Sequence, residues 1–422
     1  MDDHRPNAEE RRDHFIPLRS SELVEALAGE AASPNSEALN SVFRLLSALL
    51  HYEAHQRLDR LKALYDPIDP DAPQNRRDDS AAAFETFETA LTAELTRANF
   101  VEIDPMSVQT RDATRQLTGL NIKPSLAGIR CIRYFARGAR SEEVTIRSWA
   151  GLRKQRLGAE IMSDVVVLVG FKPEAEIGRN DRSAFANMRR GVRPGAAIVK
   201  HFRNVAAPEL VTLHPGAKPS MLRRDQVFLA APAVATGVPV LLNLWPALMV
   251  LFTVIAAFFG AQGVIEENEL KRAVAALSGL AAVGAFVMRQ RLKYEATNLR
   301  YQKRLSDTVY FRNLANNAGV LDLLVGAGEE QDAKEALLAY WALTNAGRAL
   351  RKDEIDAAAE TFLRERFGFV VDFDIVDALT KLERRGLISR NGDEHVAVAP
   401  TEALAQLDAT WDDLFQFSAR RG

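Results

Sequence analysis

Apolar positions along the first hundred residues recur at intervals of three and four. Leu39, Val42, Phe43, Leu46, Leu49, Leu50, Leu58, Leu61 and Leu64 mostly follow this spacing, as do Phe84, Phe87, Leu91 and Leu95. One side of a 3.6-residue helix collects such positions, so residues 1–122 read as a helical N-terminal region. The intervening Asp66-Pro67-Ile68-Asp69-Pro70-Asp71-Ala72-Pro73 reads as a loop, because repeated prolines end helices. From Lys123 the texture changes to short apolar runs at Ile129 to Phe135, Val165 to Phe171 and Ala197 to Val199. These predict strands, and hence an α+β domain over 123–225.

Gln226 to Ile265 contains no Asp, Glu, Lys or Arg, a run of 40 residues. A bilayer core takes about 20 apolar residues as helix. Pro232, Gly237 and Pro239 divide the run, which places one expected span at about 240–261. A charged turn, Glu266, Glu267, Glu269, Lys271 and Arg272, precedes a second uncharged run, Ala273 to Met288. Counting Leu270 and the aliphatic stems of its flanking bases makes a second expected span at about 270–288. The expectation is a transmembrane helical hairpin over 226–290. Both flanks are basic, which puts both termini in the cytoplasm of a bacterial inner-membrane, two-span protein. A buried hairpin inside a large helical protein is the alternative.

Beyond it, a juxtamembrane helical region (291–345) breaks at Asn316-Asn317-Ala318-Gly319 and resumes as a helix over Glu329 to Leu343. The last segment, 346–422, has a winged-helix-like order: helix (Asp353 to Arg366), helix (Phe373 to Arg385), strand, Asn391-Gly392 turn, strand. Asn-Gly is the favoured type I′ hairpin signal.

The 422 residues carry 54 Lys and Arg against 56 Asp and Glu, and 47% are hydrophobic, which excludes a wholly disordered or wholly basic chain. The average hides segregation. Lys123 to Arg224 holds 20 bases and 8 acids, a net charge of +12, whereas Glu329 to Gly422 holds 12 and 19, a net charge of −7. The basic side chains expected at a membrane surface are Arg153, Lys154, Arg156, Arg189, Arg190, Arg193, Lys218, Arg223 and Arg224, then Arg289, Arg291 and Lys293. Anionic lipid is the expected partner for them; a solvated charge bias is the plain alternative. Nucleic acid is disfavoured, because the winged-helix-like segment is acidic and its groove-entering helix carries Asp374 and Asp377.

No constellation for catalysis emerges. His51 and His55 are four apart, but a zincin needs Glu directly after the first His, and here Glu53 is two on. Asp66, Asp69 and Asp71 lack EF-hand spacing. Gly326-Ala327-Gly328 is followed by Glu329 and Glu330, which would repel phosphate. The single Cys131 sits in an alternating strand pattern, where a small buried hydrophobe is expected. No catalytic residue, metal site or cofactor is assigned. Glu329, Glu330, Asp332 and Glu335 begin the expected helix over Glu329 to Leu343, where acids suit the helix dipole; a latch against the +12 domain or against a partner is the functional alternative.

Four segments carry a family resemblance: HFIPLRSSELVEAL (His14 to Leu27), LKALYDPIDPD (Leu61 to Asp71), IVKHFRNVAAPELVTLHPGAKPSMLRRD (Ile198 to Asp225) and VYFRNLANNAGVLDLLVGAGEEQDAKEALLAYWAL (Val309 to Leu343). The chain resembles the transmembrane-protein-143-like family, a domain of unknown function numbered 3754. Asn316, Asn317, Gly319, Glu329, Glu330, Gln331, Glu335 and Tyr340 stand at what look like its characteristic positions. The resemblance implies a two-helix integral membrane protein with extramembrane flanks, and it supplies no biochemical activity. The expectation is therefore a membrane-anchored scaffold or adaptor with an unknown protein partner, open to homo-oligomers. A membrane-surface hydrolase and an oligomeric channel or transporter subunit are the rival classes.

Overall fold

The computed structural model describes residues 15–30, 36–78, 81–104, 121–123, 126–148, 153–187, 192–213, 218–220, 267–372 and 375–414, with isolated positions between 227 and 260. The described helices are α1 (Ser20–Glu30), α2 (Ser36–Tyr65), α3 (Ala81–Arg97), α4 (Arg179–Asn187), α5 (Glu267–Arg312), α6 (Ala318–Ala346), α7 (Lys352–Phe367), α8 (Ile375–Arg384) and α9 (Pro400–Asp413). The strands are β1 (Val101–Ile103), β2 (Asn121–Lys123), β3 (Ile129–Ser148), β4 (Arg153–Phe171), β5 (Ala197–Ala206), β6 (Lys218–Ser220), β7 (Asn313–Asn316), β8 (Leu350–Arg351), β9 (Ile388–Asn391) and β10 (Glu394–Ala397). The class is α+β. Two units partition the chain: Met1–Val108, Leu126–Leu210 and Arg312–Gly422 form the first, Gln109–Ser125 and Val211–Phe311 the second.

In the first unit an antiparallel sheet runs in the order β1-β3-β4-β5-β7. Phe135, Val166, Leu168, Ala197 and Val199 from the sheet share one core with α3, the second half of α2 and the first half of α6. The Tyr65 hydroxyl donates to the Ala197 carbonyl at 2.9 Å. A second core joins α1, the first half of α2 and the second half of α6 to α7, α8, α9 and a small sheet in the order β8-β10-β9. Helix, β8, two helices and a β9–β10 hairpin make the winged-helix order, with Gly392 at φ +64° in its turn. Helix α6 runs through both cores, and its sequence explains how. Apolar residues surround it on all sides rather than forming one stripe, the pattern of a buried helix.

The second unit comprises the β2–β6 ribbon and the 46-residue α5. The expected transmembrane hairpin is overturned, since no helix among the described residues is long and apolar enough to cross a membrane. The expected second span lies inside α5. Its uncharged stretch, Ala273 to Met288, rises only about 24 Å at 1.5 Å per residue, less than the roughly 30 Å hydrocarbon core. Lys271 and Arg272 bound it at one end, Arg289 and Arg291 at the other. The first span, 240–261, falls almost wholly outside the described residues. A two-span inner-membrane location with cytoplasmic termini loses its basis with the hairpin.

Gly170 tests the packing of α3 on the sheet. A Cβ there would lie 2.6 Å from the buried Phe84 ring. Gly170→Ala should therefore destabilise the chain by about 1–3 kcal/mol, read as a lower denaturant midpoint.

Candidate functional site

The middle of α6 departs from its apolar surroundings. Gln331, Asp332, Lys334 and Glu335 are consecutive or nearly so, and each is almost fully buried. Burying such groups is unfavourable unless each finds partners. Two sets of partners meet them, and a third buried polar group is separate.

The first is the segment preceding α1. Ile16 donates its N–H to Gln331 Oε1 at 3.1 Å, and Gln331 Nε2 donates back to the Ile16 carbonyl at 3.3 Å. Lys334 Nζ donates to the carbonyls of Ile16 (2.8 Å) and Leu18 (2.9 Å). Ser20 donates its N–H to Glu330 Oε1 at 3.2 Å, at the start of α1. Residues 16–20 thus form a strap whose main chain is held by side chains of α6. Burial, with Arg137 nearby, brings the Lys334 ammonium down to about 8, against the opposing pull of Glu330 and Glu335.

The second set is ionic. Lys381 of α8 places Nζ 2.5 Å from Asp332, 4.0 Å from Glu335 and in direct contact with Asp377. Arg57 of α2 bridges Glu94 (3.3 Å) and Asp332 (3.5 Å), while Asn99 Nδ2 donates to Glu335 at 3.1 Å. Burial raises the Asp332 carboxyl, opposed by Lys381 and Arg57. Ligand atoms of Asp332, Glu335 and Asp377 lie within 4.8 Å of one another, a spacing that could hold a cation. The Lys381 ammonium already lies among these carboxylates, and chemically it stands in for a metal.

The third lies on the sheet. Asp164 of β4 accepts from His201 Nε2 (2.9 Å) and Arg137 Nε (3.1 Å). Arg137 also donates to the Ala98 carbonyl and stacks against Phe15 and Phe100. Burial alone would raise the Asp164 carboxyl; the His201 hydrogen bond and the Arg137 charge overcome it and hold it at about 2.

The eight motif positions gather along β7 and α6. Asn316 ends β7 opposite Lys200. Asn317 takes φ +52°, tolerable for Asn, donates its N–H to the Val199 carbonyl at 2.7 Å and opens α6, with Gly319 in the first turn. Glu329 meets His51 Nδ1 at 2.9 Å, so with Glu330 it engages the N-terminal helices, not the basic segment. The Tyr340 hydroxyl donates to the Val398 carbonyl at 2.8 Å. The His51/Glu53/His55 set diverges, Glu53 going to Arg384 and Arg385 and His55 to Asp59.

The basic positions are dispersed. Arg153, Lys154 and Arg156 pair opposite Ser148, Arg147 and Thr145 in the outer part of the β3–β4 ribbon. Arg193 is half-buried and donates to the Pro67 and Asp69 carbonyls. Lys218 pairs opposite Lys123 in the second unit, where Arg289, Arg291 and Lys293 are exposed on α5. Arg189, Arg190, Arg223 and Arg224 lie outside the described residues. Sequence reasoning missed Lys334, Lys381 and the Asp164–His201–Arg137 group. A lysine inside the apolar run of α6, and an Asp377/Lys381 pair at i, i+4, were the available signals.

The class these features define is an α+β protein with an ion-locked central helix and a β3–β4 ribbon that runs on past the pairing of β1 and β5. Residues 162–319, less than half of the chain, match the family model described as Protein of unknown function (DUF3754). That match supports a domain of unknown function and does not carry the narrower transmembrane-protein-143-like name. No solved structure matches the chain.

Two substitutions probe the network. Lys381→Ala leaves three carboxylates without their ammonium and should cost about 3–5 kcal/mol. Added Ca²⁺ or Mn²⁺ should then raise the melting temperature of the variant and leave that of the parent unchanged. For Asp164, the folded value lies below the ordinary 3.8. Its contribution of about 2 kcal/mol is therefore present above pH ~4 and lost as pH falls toward ~2. Asp164→Asn should flatten that acid limb in a urea-denaturation series.

Proposed function

We propose that the chain is a binding or scaffolding protein whose contact element is the outer β3–β4 ribbon and whose partner is anionic. One observation carries this reading. Strand β1 pairs with β3 only at Tyr134–Ala136, and β5 pairs with β4 only as far as Ile161. From Ser141/Glu160 to Ser148/Arg153 the two strands continue as eight residue pairs with no third strand beside them among the described residues. That is a reach of about 26 Å at 3.3 Å per residue. A two-stranded ribbon by itself is marginal in water, so a partner that covers it contributes stability.

The charge of the ribbon sets the partner's sign. The ribbon's outer end, Val144 to Leu157, contains Arg147, Arg153, Lys154 and Arg156 and no acid, while Glu142, Glu143 and Glu160 stand at its base, nearest the sheet. Oppositely charged surfaces steer association and fix its register. The resemblance to the transmembrane-protein-143-like family adds no activity to this reading.

Immobilised heparin, a generic polyanion, tests it. The full chain should be retained at low salt. A variant with Arg147→Ser, Arg153→Ser, Lys154→Ser and Arg156→Ser should elute at clearly lower salt with its circular dichroism unchanged. Equal elution of the two would remove the ribbon as the contact element.

A further inference from the structure

The second charged element bears on the ribbon's partner. Helix α9, Pro400–Asp413, is as long as the Val144–Leu157 segment and carries Glu402, Asp408, Asp412 and Asp413 with no base. Ala403 and Leu407 are fully buried in the second core, and α9 packs on α2. All four acids are exposed, with Trp411 partly exposed beside them. One segment is therefore +4 and the other −4, and the structure seats α9 on α2 while the outer ribbon pairs with itself.

We propose that the ribbon of one copy docks on the acidic face of α9 of a second copy. This rests on the reading of the ribbon as a contact element for an anionic partner, and names that partner. Charge complementarity within one sequence favours a second copy over nucleic acid, whose phosphates would be repelled by the net −7 of the C-terminal segment. The two surfaces differ, so the contact is heterologous: each copy offers both, and association closes into a ring or extends. Attraction between exposed charges is screened over about 10 Å at 0.1 M salt and about 3 Å at 1 M, so the assembly is held at low salt and released at high salt.

Sedimentation velocity of the full chain at about 20 mM and about 500 mM salt tests this directly. Association at low salt that reverses at high salt is expected. The fourfold ribbon variant and a helix variant (Glu402→Gln, Asp408→Asn, Asp412→Asn) should each associate about tenfold more weakly or not at all. Mixing the two variants should restore a dimer that does not extend, because the helix variant keeps its ribbon and the ribbon variant keeps its α9. That complementation also shows that both variants are folded. A parent chain that is monomeric at low salt, or association that survives both sets of substitutions, overturns the proposal. Ribbon-dependent heparin retention by a monomeric chain would overturn self-docking alone and leave the anionic-partner reading standing.

Discussion

The fold turns on how charge is accommodated in the middle of α6. A lysine or carboxylate taken out of water there is strongly unfavourable unless it is met by an opposite charge or by main-chain groups. Every buried polar residue from Gln331 to Glu335 is met by a group from a different part of the chain: the strap at Ile16 and Leu18, Arg57 from α2, Asn99 before β1 and Lys381 from α8. The helix therefore acts as a register. Apolar packing alone would let α2 or α8 slide along it by a turn at modest cost, whereas a displaced Lys381 would deprive the buried Asp332 and Glu335 of their ammonium.

This explains why the two cores do not behave as separate domains. The first half of α6 closes the sheet core with Val320, Leu321, Leu324 and Val325, and the second closes the helical core with Leu337 and Tyr340. The polar stretch between them is where the N-terminal segment crosses. Lys334 binds main chain rather than side chain of the strap, so the register is set by backbone geometry, with Ile16 and Leu18 supplying the apolar contacts.

Much of this was legible in residue patterns and some was not. Heptad-like spacing marked α2 and α3, and Asn391-Gly392 marked the β9–β10 turn, because these signals are local. The strands at Ile129, Val165 and Ala197 were legible only in their apolar, sheet-covered parts. The outer parts of β3 and β4 carry charged residues and no regular apolar alternation, so their sequence reads as loop. The transmembrane expectation failed on length: absence of charge over Ala273 to Met288 does not make that stretch of α5 long enough to span, and basic residues bound it on both sides. Among motif positions, Glu329 and Glu330 read as helix-start acids because they follow Gly326 and Gly328, yet α6 begins at Ala318 and they lie near its middle. Apart from the Asp377–Lys381 contact, four positions apart, the partners of the buried ions named above come from 27 to 318 positions away, and no local pattern encodes such pairings.

The separation between motif and contact surface has a physical basis. Positions in the buried register are constrained by distant parts of the chain, so a substitution at Gln331 disturbs the strap, and one at Glu335 disturbs both Asn99 and Lys381 of α8. The outer ribbon differs: from Ser141/Glu160 outward no third strand flanks its pairs among the described residues, so the sheet's register imposes less on its sequence. The residues matched by the family model, 162–319, end as α6 begins, so the expected motif positions on α6 mark the frame of the fold rather than a contact surface.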